Sequence, residues 1–135
     1  MNQDEAPIVS AVADYHRQDR YGFTPPGHRQ GRGATENALE VLGRDTYRSD
    51  VLASAGLDDR SSSNGYLQRA QELMADAVGA EHAFFSTCGS SLSIKAAILA
   101  VTRGTGEILI GRDAHKSVTA GLILSGLQPR WISPT

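Results

Sequence analysis

Residues 82–133 alternate in a way that leaves few architectures open. An aromatic run, "HAFFST" at 82–87, leads to the almost wholly apolar "SSLSIKAAILAV" at 90–101. Then come "EILIG" at 107–111, "DAHKSVTAGLILS" at 113–125 and "PRWIS" at 129–133. Short aromatic and β-branched runs suit strands, and the longer runs between them suit helices. The pattern predicts strand, helix, strand, helix, strand, with helices from Ser90 to about Thr102 and from Asp113 to Ser125, the second closed by Gly126. Such alternation in so short a stretch is the rhythm of an α/β fold, a parallel sheet with right-handed crossovers. The helix at 90–102, apolar on nearly all sides, is expected to be buried.

The segment before it reads as helices and loops. Pro7 to Gln18 is a candidate helix, with Ile8, Val12 and Tyr15 recurring at helical spacing and Pro7 suited to its first turn. "YGFTPPGHRQGRG" at 21–33 cannot continue a helix and is expected to be an extended loop. A short helix from about Thr35 to Leu42, ended by Gly43, precedes an irregular stretch at 44–64. A clearer helix at 65–78 carries Tyr66, Ala70, Leu73, Met74 and Ala77 as its apolar stripe and stops at Gly79. The expected division is a helix- and loop-rich arm over 1–64 and an α/β domain over 65–135.

Composition narrows the class. With 135 residues, 40% hydrophobic and 21% charged, the chain is long enough for a globular domain and too apolar for disorder. A net charge of −2 gives no reason to expect nucleic acid or an anionic membrane as partner. The longest strictly apolar run, Ala96 to Val101, falls far short of the roughly 20 residues of a membrane span. "MNQDEAPIV" lacks the basic start and apolar core of a signal peptide. The single cysteine, Cys88, can form neither an internal disulfide nor a cysteine metal cluster, and a reducing, cytoplasmic setting is expected.

In open parallel sheets ligands bind beyond the carboxyl ends of the strands. "STCGSS" at 86–91 occupies that place. A helix starting near Ser90 offers unpaired N–H groups and a partial positive charge, Gly89 permits close approach to the backbone, and Ser90 and Ser91 can donate hydroxyl hydrogen bonds. Helix capping is the plainer use of serine, but one serine suffices for a cap, and the excess points to a phosphate cradle. The nucleoside-triphosphate loop, the dinucleotide fingerprint and the nucleophile elbow are all absent, the last because "GSSLS" lacks its second glycine. Cys88 is either a nucleophile near a helix start or, more commonly for a lone cysteine, a buried structural residue. "GRDAHKSVTAG" follows the next strand, so His115 should share the rim with the serines, either stacking on a ligand ring or facing solvent, while Asp113 reads as a helix N-cap.

These residues carry a resemblance. "TPPGHRQG", "GLDD", "LQRAQELMADAVGAEHAFFSTCGSS" and "GRDAHKSVTAGLILSG", in this order and spacing, resemble the start of the catalytic domain of the Orn/Lys/Arg decarboxylases, from about Tyr15 to the end of the chain. The block around His-Lys-Ser with its downstream "LILSG" is the most specific part. The resemblance implies a fold-type I large domain, preceded by a helical arm, and pyridoxal 5′-phosphate as cofactor. Gly89, Ser90 and Ser91 match the turn that wraps the cofactor phosphate, and His115 matches the histidine that stacks on the pyridine ring. The "TPPGH" loop resembles a segment near the active-site entrance or the dimer interface. Departures are Cys88 where the family often has Asn, Leu92 where it often has a small or hydroxyl residue, and "RSSSNG" at 60–65 in place of a histidine-rich or proline-containing stretch.

The chemistry implied needs a Schiff-base lysine and a carboxylate on the pyridine nitrogen. Only Lys95 and Lys116 are lysines, and neither matches the family's Schiff-base position, which lies later in the chain with the aspartate. The expectation is therefore the N-terminal portion of a basic amino acid decarboxylase, acting on ornithine, lysine or arginine as a homo-oligomer when complete and inactive as these residues alone. The competing reading is a non-catalytic remnant or interaction module that reuses the first half of the fold.

Overall fold

The computed structural model describes residues 1–59, 63–102 and 105–134, so residues 60–62 of the "RSSSNG" stretch lie outside the described residues. The chain forms two compact units, Met1–Phe84 and Phe85–Thr135.

Among the described residues, the N-terminal unit has four helices and two short 3-10 turns. Helix α1 spans Pro7–Arg17, with Pro7 in its first turn, where a missing N–H costs nothing. Helix α2, Glu36–Leu42, is capped by Thr35, whose Oγ1 accepts from the Ala38 N–H at 3.3 Å. Gly43, at φ +79°, ends α2 and at once begins α3, Arg44–Ser49. The stretch at 44–64 is thus not wholly irregular: α3 and a 3-10 turn at Ala53–Ala55 lie within it. A six-residue helix has fewer than two turns, too short to print a helical period in the sequence.

Helix α4, Tyr66–Val78, packs against α1 and ends at Gly79 in the left-handed conformation, as its sequence indicates. The apolar spacing identifies the inward faces in part: Tyr15 and Leu73 are buried as it suggests. Ala11 and Ala75 are buried as well, whereas Ile8 is 42% and Met74 46% exposed. The α4 start is capped from a distance: Asp58, in "GLDD", accepts the N–H of Leu67 at 2.6 Å and that of Asn64. The N-terminal segment is tied to α4 by Glu5, whose carboxylate meets the Arg69 guanidinium at 2.9–3.1 Å. The Met1 ammonium and the Gln3 amide both donate to Asp76, at 2.9 and 2.8 Å.

The C-terminal unit is α/β. Helix α5 spans Ser90–Val101, strand β1 Glu107–Gly111, helix α6 Lys116–Ser125 and strand β2 Gln128–Ile132. The strands pair in parallel, Glu107 opposite Gln128 through Gly111 opposite Ile132, with α6 as the crossover between them. Ile108 and Ile110 point toward the helices, and Ile98, Ile110, Leu122 and Leu127 form the core, flanked by Ile94, Ala114 and Val118. Leu109 faces the other way and is 71% exposed.

Three expectations for residues 82–125 are corrected. Residues 82–87 form no strand, because a strand exists only through a paired neighbour and the sheet among the described residues has two strands. Helix α6 begins at Lys116 rather than Asp113, with His115 as its N-cap in place of Asp113. Helix α5 is not buried on all sides: Ile98 is its buried residue, while Leu92, Leu99 and Val101 are exposed, since its apolar surface exceeds what α6 and β1 can cover.

Candidate functional site

The candidate site lies in the C-terminal unit. Helix α6 leaves the carboxyl end of β1 and returns to the start of β2, so its first turn stands at the carboxyl rim of the sheet. Helix α5 precedes β1 in the chain, with Ser90 and Ser91 in its first turn. The two helices pack closely: an ideal Cβ on Gly121 would stand 2.6 Å from the Ile98 Cδ1. Gly89, Ser90 and Ser91 stand at the start of α5 and His115 at the start of α6, within one compact unit.

The α5 turn differs from an ordinary capped helix end. Its N-cap is Gly89 at φ +80° and ψ 160°, a conformation in the region that favours glycine. Among the described residues no side chain caps the helix, and the first turn holds no acidic residue. The hydroxyls of Ser90 and Ser91 are therefore not used as caps, and the positive end of the helix is not neutralised locally. Space above Gly89 is open, with nothing within 4 Å of where a Cβ would sit. Ser90 is exposed and Ser91 half-buried. Cys88 is exposed, contrary to the buried structural role expected of a lone cysteine, and its N–H donates to the Ser86 Oγ at 3.3 Å.

His115 is held by its own helix. Its Nδ1 accepts from the Ser117 N–H at 3.2 Å and lies 2.9 Å from the Ser117 Oγ. An N–H donor to Nδ1 leaves that nitrogen unprotonated and puts the ring proton on Nε2. Ser117 is 4% exposed, so the group that orients the imidazole is itself fixed by burial. The sequence did not reveal this arrangement, because Asp113 is the more usual capping residue type and sits only two positions earlier.

Lys95 is half-buried on α5, and Lys116 is exposed at the first position of α6. The "TPPGH" loop belongs to the other unit. There the His28 Nε2 meets Asp50 at 3.0 Å, its ring stands edge-on to Tyr47 at 5.0 Å, and its Nδ1 is buried without a partner among the described residues. Among the described residues no cluster of ligating side chains could hold a metal ion, and no helix is long and apolar enough to cross a membrane.

Comparison with known proteins places this chain in a family. Residues 6–135 match the family model "Orn/Lys/Arg decarboxylase, major domain". An arginine decarboxylase of Bacillus cereus is 34% identical over 134 residues, covering 99% of this chain and 29% of that protein. An arginine decarboxylase of Bacillus subtilis is 32% identical, with 99% of this chain and 27% of that protein covered. The constitutive lysine decarboxylase of Escherichia coli is 29% identical, with 96% and 19% covered. The chain thus spans between about a fifth and three tenths of the length of these relatives. With nearly its whole length matched to the major domain, the chain belongs to the Orn/Lys/Arg decarboxylase family.

Proposed function

We propose that this chain contributes the phosphate- and ring-holding part of a pyridoxal 5′-phosphate-dependent decarboxylase of basic amino acids. When bound, the cofactor supplies the electron sink for loss of the carboxylate. The observation that carries the reading is the uncapped start of α5: a glycine N-cap, two adjacent serines free of capping duty, and open space above. That donor set fits a phosphate dianion, which takes backbone N–H and hydroxyl hydrogens together.

In this proposal Gly89, Ser90 and Ser91 hold the phosphate. His115, its Nδ1 occupied by Ser117, offers a ring face of fixed orientation against the pyridine. Lys95 and Lys116 have no covalent role, and residues 1–135 by themselves are proposed to be inactive. The arginine and lysine decarboxylases among the relatives support a basic amino acid as substrate, with arginine the first to assay. A cytoplasmic homo-oligomer is proposed for the complete enzyme.

The test is a cofactor titration followed by absorbance in the complete enzyme. Ser90→Ala with Ser91→Ala should weaken cofactor affinity tens-fold or more, since each hydrogen bond to a charged group contributes about 1.5–3 kcal/mol. His115→Ala should lower turnover more than affinity. Unchanged affinity in the double serine variant would place the phosphate elsewhere.

A further inference from the structure

The N-terminal unit carries a second concave, cation-rich site that the proposed reaction does not use. A cavity of about 160 Å3 is lined by Asp19, Gln30, Gly31, Arg32, Arg44 and Arg48. Arg44 and Arg48 are four residues apart on α3 and so share a face, an arrangement of like charges that disfavours the helix when nothing neutralises it.

The carboxylates nearby fall short of the guanidinium groups. Asp19 meets Arg32 at 3.2 Å and Asp45 meets Arg48 at 3.5 Å, whereas Arg44 has no carboxylate partner among the described residues. The walls are set by packing. The Arg32 guanidinium lies over the Tyr21 ring, 4.8 Å from its centre. Gly31, buried at φ +91°, lets the loop close on α3: a Cβ there would stand 3.3 Å from the Tyr47 Cβ. The loop that carries Arg32 is thereby pressed against the helix that carries the other two arginines.

We infer that this cavity binds a small phosphate-type dianion, such as inorganic phosphate or the phosphate group of a soluble metabolite. Guanidinium forks match phosphate oxygens two at a time, and three of them around a concave site would leave few of those oxygens unpaired. The inference does not depend on the α5 turn.

The test is calorimetric titration of the chain with sodium phosphate and sodium pyrophosphate at fixed ionic strength, made in the Ser90→Ala, Ser91→Ala background so that the α5 turn does not contribute. Saturable binding of one anion per chain is expected, with pyrophosphate the tighter. Arg44→Gln should weaken it about tenfold or more. Asp19→Asn removes the one carboxylate that lines the cavity among the described residues and should tighten it several-fold. Both side chains are exposed, and circular dichroism checks that the fold survives. Absence of saturable binding, an Arg44→Gln variant with unchanged affinity, or an Asp19→Asn variant that binds more weakly would each overturn the inference.

Discussion

Gly121→Ala isolates one contact on which the C-terminal unit depends. In the interior of α6, alanine in place of glycine should stabilise the helix by about 1 kcal/mol. The new methyl, however, would stand 2.6 Å from the Ile98 Cδ1, with the Ile98 Cβ and Cγ1 at an ordinary 3.5 Å. Ile98 is 8% exposed and sits in the core with Ile110, Leu122 and Leu127, so Cδ1 cannot swing aside without disturbing them. Overpacking of this kind costs about 1–3 kcal/mol. The clash should outweigh the propensity gain, and Gly121→Ala should lose about 1 kcal/mol. Ile98→Val removes the offending methyl at a cost of about 0.5–1.5 kcal/mol. Made in that background, Gly121→Ala should reverse sign and gain about 0.5–1 kcal/mol. Urea unfolding of the wild type and the three variants followed by circular dichroism gives the coupling directly. If alanine at 121 stabilises both backgrounds equally, Ile98 yields freely and α5 does not press on α6 as described.

Two further outcomes concern the N-terminal unit, beside those for the serine turn and the arginine cavity. Asp58→Ala should cost about 1–2 kcal/mol by freeing the Leu67 N–H at the α4 start, and hydrogen exchange should report fraying confined to that first turn. Asp76 is held below its ordinary carboxylate value by the Met1 ammonium first and the Gln3 amide second. A depressed folded-state value means that its stabilising effect is present above about pH 4, the unfolded value, and is lost as the pH falls through the folded one. Acetylating the Met1 amine should move the Asp76 titration upward, as read by NMR, and an unmoved titration would show that the clasp does not form in solution.

Strands β1 and β2 were legible in the sequence because "EILIG" and "PRWIS" are short apolar runs between turn signals, and the crossover helix between them made parallel pairing the natural outcome. "HAFFST" has the same local chemistry and forms no strand, because strand identity comes from a neighbour and not from composition. The glycine–serine turn was readable from its excess of hydroxyls. What the sequence concealed was which residue did the capping. Serines that look like caps leave that role to Gly89, and a histidine that looks like a ligand contact takes the cap of α6. On α1 and α4 the burial of Tyr15 and Leu73 was readable from the apolar spacing, whereas that of Ala11 and Ala75 was not, since alanine is too small to mark a stripe.

Because His115 caps α6 through Nδ1, position 115 answers to two unrelated demands at once. Asparagine or aspartate there would begin the helix as well and present no ring. Phenylalanine would present a ring and leave the Ser117 N–H without its acceptor. On the proposed reading, histidine is the side chain that meets both demands, so single substitutions at 115 should divide into those that keep the helix and those that keep the ring, with none that keeps both.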